Sequence, residues 1–107
     1  MNANAKILIS GGGIAGLTLA YWLNNFGFEP TIVEKRSDFS DRGYMLDFYG
    51  SGYRVAEKMG LIDALKVRHY AIPDLDFVDT HGSVRAVFQI NTFRKLLHWR
   101  HFNFMRG

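Results

Sequence analysis

The sequence contains no cysteine. That excludes disulfides, thiolate metal sites and thiol nucleophiles, and it fits a reducing cytoplasm. Charge is also missing from one long stretch: no residue from Ile7 to Phe28 is charged, with Lys6 before the run and Glu29 after it. A charge-free run of this kind invites a membrane-span or leader-peptide reading. Gly11, Gly12, Gly13, Gly16 and Gly27, together with Ser10, Asn24 and Asn25, argue against it. A glycine triplet is a poor centre for an apolar helix, and no small-residue cleavage site follows. Nor is there a large excess of one charge. The 13 Lys and Arg stand against 10 Asp and Glu, a net charge of +3, and the basic residues are mostly scattered singly. Neither a membrane nor a nucleic-acid partner is therefore expected. Repeats and low-complexity linkers are absent.

What is present suits one small domain. The 107 residues are 48% hydrophobic, with 9 Phe, 5 Tyr and 2 Trp. That is enough apolar surface to form a core. Lys6–Ser10 is a short apolar run bounded by glycine and reads as a buried strand. Ile14–Phe26 is long enough for a helix and apolar on most sides, which suits packing between a sheet and another layer. Gly27 is its stop. Pro30 opens a second buried strand, Thr31–Glu34. Strand, glycine turn, helix and strand within about 30 residues make a βαβ unit with parallel strands.

Farther along, 35–42 is loop-like and Gly43–Phe48 is extended. Ser51 is placed to cap a helix running to about Met59 and ended by Gly60. Leu61, Ile62 and Leu65 suggest another helical turn. Leu75–Asp79 and Val84–Phe88 read as a hairpin, with Thr80-His81-Gly82-Ser83 as its turn. Phe93–Trp99 reads as a short helix, and Phe102 and Phe104 alternate as in a strand.

The central motif is Gly11-Gly12-Gly13-Ile14-Ala15-Gly16, a G-x-G-x-x-G sequence. Gly11 permits a tight turn out of the strand, Gly13 lets the backbone approach a pyrophosphate, and Gly16 lets helix and strand pack closely. The helix N-terminus offers free N–H groups and partial positive charge to phosphates. Such a motif carries weight only between a strand and a helix, with an acidic residue ending the next strand. All three conditions are met here, and Glu34 is the acidic residue, placed to accept hydrogen bonds from ribose hydroxyls. A nucleotide-triphosphate loop of the Walker type is excluded because Leu17 stands where its lysine would be. Glu34 would repel a 2′-phosphate, which disfavours NADP in this pocket; FAD and NAD both remain open on this ground.

The run from Gly11 to Ala20, then Gly27, then Val33-Glu34-Lys35-Arg36, resembles the N-terminus of the flavoprotein aromatic hydroxylases, the para-hydroxybenzoate hydroxylase group. Arg42-Gly43-Tyr44-Met45-Leu46-Asp47-Phe48, Gly50 and Ala56-Glu57-Lys58-Met59-Gly60-Leu61 are similar to the same group. Phe104-Met105-Arg106-Gly107 is similar to the start of that family's R-G-D-L segment. The resemblance implies an α/β fold: a Rossmann-type FAD-binding βαβ unit with a helix and a β-hairpin. It implies FAD held with its ADP half on the loop, at Gly11, Gly13, Ile14, Ala15 and Gly16, and its ribose on Glu34. Lys35 stands where a basic residue flanks the adenosine, and Arg106 where an arginine contacts the flavin nucleotide. NAD(P)H would reduce the flavin, which would then use oxygen to hydroxylate an aromatic or similar small molecule.

The family's later flavin motifs and its substrate-binding sheet have no counterpart in this sequence. Residues 1–107 are therefore expected to form a partial, truncated FAD-binding domain that contains no catalytic residue and is not a working monooxygenase alone. Another FAD- or NAD-linked oxidoreductase with the same fingerprint, and a non-functional truncated gene product, are the alternative readings.

The remaining polar residues read as architecture. His98 and His101 are three apart and could share a helix face, but without a carboxylate they make a poor metal site, so a polar-aromatic surface is expected. The basic and aromatic residues from Phe93 to Arg106 suggest a half-buried element. Asp74 and Asp76 share one strand face and Asp79 the other, which argues against a catalytic carboxylate pair.

Overall fold

A computed structural model describes residues 4–38 and 43–105. The chain divides into two compact units, one up to residue 39 and one from residue 40 onward.

The first unit is the expected βαβ arrangement. Strand β1 (Lys6–Ser10) leads through the glycine loop into helix α1 (Ile14–Asn25), and strand β2 (Glu29–Val33) returns parallel to β1. The register runs from Lys6 opposite Glu29 to Ser10 opposite Val33, and the Gly11 N–H extends the ladder by donating to the Val33 carbonyl at 2.8 Å. β2 starts earlier than the residue pattern suggests. Pro30 lies inside the strand, as an edge position allows, and Glu34 falls one residue past its end. The expectation of two buried strands and a helix packed on both sides is not met. Among the described residues of this unit only Ile9 is buried, Leu8 is 71% exposed, and α1 contains no buried residue. Two strands and one helix can cover only one face of the sheet.

The second unit contains two antiparallel pairs. Strand β3 (Met45–Tyr49) pairs with β6 (His101–Met105), and β4 (Asp74–Val78) pairs with β5 (Val84–Gln89) around the expected turn, where Gly82 has a φ of 80°. Helices α2 (Gly50–Lys58), α3 (Ile62–Val67) and α4 (Ile90–Leu96) complete it. Ser51 is not the cap of α2. The helix starts two residues earlier than a Ser51 cap would place it, Tyr49 occupies the cap, and the Ser51 hydroxyl accepts a hydrogen bond from Arg54 at 3.2 Å.

Period-two alternation gives the β3–β6 ribbon two different faces. Leu46, Phe48, Phe102 and Phe104 form the aromatic face, with ring centroids 5.5 Å apart for Phe48–Phe104 and 5.4 Å for Tyr53–Phe102. Tyr53 and Ala56 of α2 and Phe102 are the buried apolar residues of this unit. The other face presents Asp47 directly opposite Asn103, with His101 two residues away.

α4 also begins earlier than expected, at Ile90 rather than Phe93, and ends before His98. His98 and Trp99 take left-handed φ values of 52° and 62° and turn the chain back into β6. His98 and His101 therefore do not share a helix face. His98 is exposed, and His101 is buried rather than part of a surface.

Candidate functional site

The glycine loop is short because β1 ends at Ser10 and α1 begins at Ile14. Gly11 has a φ of 108°, a region L side chains rarely adopt, so the turn out of β1 requires glycine. Gly16 is required for another reason. A Cβ there would collide with the Gly11 carbonyl oxygen and press on the Ile9 side chain at 3.4 Å. The bare Cα thus lets α1 close onto the end of β1.

Gly13 is different. It caps α1 with φ −76° and ψ −175°, extended backbone open to any residue, and a Cβ there would meet nothing within 4 Å. No side chain caps the helix, and its first turn carries no acidic residue. The backbone N–H groups of Ile14, Ala15 and Gly16 have no hydrogen-bond partner among the described residues. Unpaired N–H groups with the positive end of a 12-residue helix form a ready anion cradle, and the missing Cβ keeps its approach clear.

Glu34 closes one side of this cradle. Its Oε2 accepts the Gly12 N–H at 2.7 Å and its Oε1 accepts the Arg36 N–H at 3.0 Å. These two backbone donors, Gly12 first, hold the carboxyl below its ordinary value, and the Arg36 charge adds to them. Lys35 is exposed, and its ammonium has no partner among the described residues. Loop and carboxylate thus come together in one unit as the sequence suggests. Arg106 lies outside the described residues.

The second unit holds a polar cluster that residue patterns did not reveal. Arg94, His101 and Asn103 are all buried. Arg94 donates from Nε to His101 Nδ1 at 3.3 Å, from Nη1 to the Ile72 carbonyl and Asn91 Oδ1 at 3.0 Å each, and from Nη2 to Asn103 Oδ1 at 2.6 Å. A guanidinium can only donate, so His101 accepts at Nδ1 and donates from Nε2 to Asp47 Oδ1 at 3.1 Å. Asn103 also donates to Asp47 from Nδ2, and its backbone N–H donates to His69 Nδ1 at 3.0 Å. Burial, together with the nearby Arg94 charge, lowers the affinity of His69 for a proton. The side-chain nitrogens and oxygens of the three buried residues Arg94, His101 and Asn103 all have partners within the protein. Alternation in His101-Phe102-Asn103-Phe104 was the available signal, since it sets His101 and Asn103 together on the face opposite the phenylalanines.

Asp79 lies just past the end of β4 and organises the hairpin turn. Its Oδ1 accepts from the His81 and Ser83 N–H groups at 2.9 and 3.0 Å, and its Oδ2 pairs with Arg85 at 2.8 Å. Among the described residues no helix is long and apolar enough to cross a membrane.

Comparison with known proteins agrees with this geometry. Residues 9–57 match the family model described as an NAD(P)-binding Rossmann-like domain. The chain is 42% identical over 83 residues to the FAD-dependent monooxygenase asL4 of Sarocladium schorii, covering 78% of this chain and 19% of that protein. It is 38% identical over 84 residues to a flavin-dependent monooxygenase of Legionella longbeachae serogroup 1 (strain NSW150), covering 78% of this chain and 22% of that protein. Among solved structures it superimposes on the tetracycline destructase Tet(55) with a TM-score of 0.76 and 32% identity, over 100% of this chain and 26% of that one. The chain thus spans about a fifth of the length of these curated relatives. The family description names a nicotinamide dinucleotide and the relatives a flavin. Both cofactors carry an ADP half, and that is the part a glycine loop recognises.

Proposed function

We propose that this chain, a sequence relative of the flavin-dependent monooxygenases with a Rossmann-like fold, binds the ADP half of FAD on its glycine loop. Gly11, Gly13, Ile14, Ala15 and Gly16 form the pyrophosphate cradle, Glu34 reads the ribose, Lys35 flanks the adenosine, and Arg106 contacts the flavin nucleotide. The observation that carries the reading is Gly13. Its backbone conformation does not need glycine and its Cβ would touch no protein atom, yet it sits where unpaired helix N–H groups converge. A ligand explains the bare Cα there.

When bound, FAD reduced by NAD(P)H supplies the oxygen chemistry by which flavin-dependent monooxygenases hydroxylate small organic substrates, aromatic ones in this reading. Within residues 1–107 the role is cofactor binding in the cytoplasm, as a partial FAD-binding domain. No residue of the chain is assigned a catalytic role. Isothermal calorimetry of the full chain with ADP and with FAD tests the proposal. Binding of ADP that is competed by FAD supports it; binding of neither ligand overturns it.

A further inference from the structure

Resting on that reading, we propose that Glu34 is a positioning residue for the pyrophosphate cradle as well as a reader of the ribose. Its carboxylate clamps the loop through the Gly12 N–H. The two hydrogen bonds to Gly12 and Arg36 are made to the chain's own backbone and not to a ribose. A carboxylate has about four acceptor positions, so two backbone donors leave room for a diol.

Gly12 supplies an independent observation. The fingerprint leaves the residue between its first two glycines free, yet this chain has a third glycine there. A Cβ on Gly12 would press on the Glu34 Cβ at 3.3 Å and on Cγ and Oε2 at 3.5 Å. The bare Cα therefore lets the carboxylate reach the loop. Gly12 directly precedes the Gly13 cap, so fixing its N–H fixes the direction in which the following N–H groups point. The arrangement also has an electrostatic cost. A carboxylate beside an anion cradle repels phosphate, so a Glu34 that only read the ribose should leave bare pyrophosphate better bound when removed.

Amide resonances of the ¹⁵N-labelled, ligand-free full chain, followed as pH falls, test the clamp. Gly12 and Arg36 are expected to shift together, with one midpoint below the ordinary carboxylate range, and Gly12→Ala is expected to uncouple the loop amide from that titration. A Gly12 resonance that ignores the carboxylate overturns the proposal. Inorganic pyrophosphate and adenosine then separate the two roles in Glu34→Ala. Pyrophosphate binding about tenfold weaker, despite the lost negative charge, supports the clamp, on the scale of a charge-assisted hydrogen bond. Unchanged or tighter pyrophosphate binding with weaker adenosine binding overturns it and leaves ribose reading alone. Failure of the wild-type chain to bind ADP overturns the cofactor reading, while the Gly12 titration still decides the clamp.

Discussion

Residues 4–38 and residues 43–105 place their polar groups in opposite ways. Among the described residues of the first unit, the N–H groups of Ile14, Ala15 and Gly16 have no partners and the only buried hydrophobic residue is Ile9. In the second, Arg94, His101 and Asn103 are buried and their side-chain polar atoms are all engaged. Both units bring basic, acidic and amide groups together, so composition does not separate them. Satisfaction does. Donors held by architecture yet unpaired at the surface are prepared for a ligand, whereas donors fully paired in the interior fix the fold.

Breaking the interior cluster should have the largest effect. Arg94→Met removes donors to His101, Asn103, Asn91 and Ile72 and leaves their acceptors unpaired. Urea denaturation of the full chain should show a loss of about 3–5 kcal/mol, the scale for removing one partner of a buried charged network. A loss below about 1 kcal/mol would show that the cluster does not hold the second unit together.

Gly16→Ala should come next. The added Cβ collides with the Gly11 carbonyl, so α1 must move away from β1. Overpacking of this kind costs about 1–3 kcal/mol, readable in the same denaturation experiment. Gly13→Val sharpens the contrast because it changes almost nothing in the ligand-free chain. Its Cβ meets open space, so stability should stay within about 0.5 kcal/mol while ADP binding falls below calorimetric detection. Two glycines three residues apart would then fail differently, one through the fold and one through the ligand.

The same contrast explains what the sequence made legible. The turn from β1 into α1 was legible because a strand end and a helix start close together leave few solutions, and the structure places Gly11 and Gly16 where that turn needs them. The interaction of Glu34 with Gly12 was not, since spacing locates a carboxylate without showing what it touches. The interior cluster draws Asp47, His69, Arg94, His101 and Asn103 from places up to 56 residues apart. No local period links them, and His101 and Arg94 each resemble surface residues until β3 and β6 pair. The exposed face of the β1–β2 sheet was missed for a simpler reason: apolar runs predict a buried strand only when other elements cover both faces.

The smallest expected effect is a pH dependence that assigns acid sensitivity to one unit or the other. His69 accepts the Asn103 N–H through an unprotonated Nδ1, and burial lowers its proton affinity from the ordinary value of 6.5. The unfolded chain therefore takes up this proton first. The stabilisation is fully present above about pH 6.5 and is lost as pH falls from there through the lower folded-state value. Glu34 and Asp79 are also held below their ordinary values, 4.5 and 3.8, so their contributions persist above those values and are lost only at lower pH. The windows begin at different pH, and the one that begins highest belongs to the second unit. In His69→Asn the Oδ1 can still accept the Asn103 N–H but does not titrate, so the stability of this variant should vary less between pH 7 and pH 5 than that of wild type. Parallel curves across the upper window would remove His69 as the source of mild-acid sensitivity, and the interior cluster would then differ from the cradle in satisfaction of its polar groups but not in its response to acid.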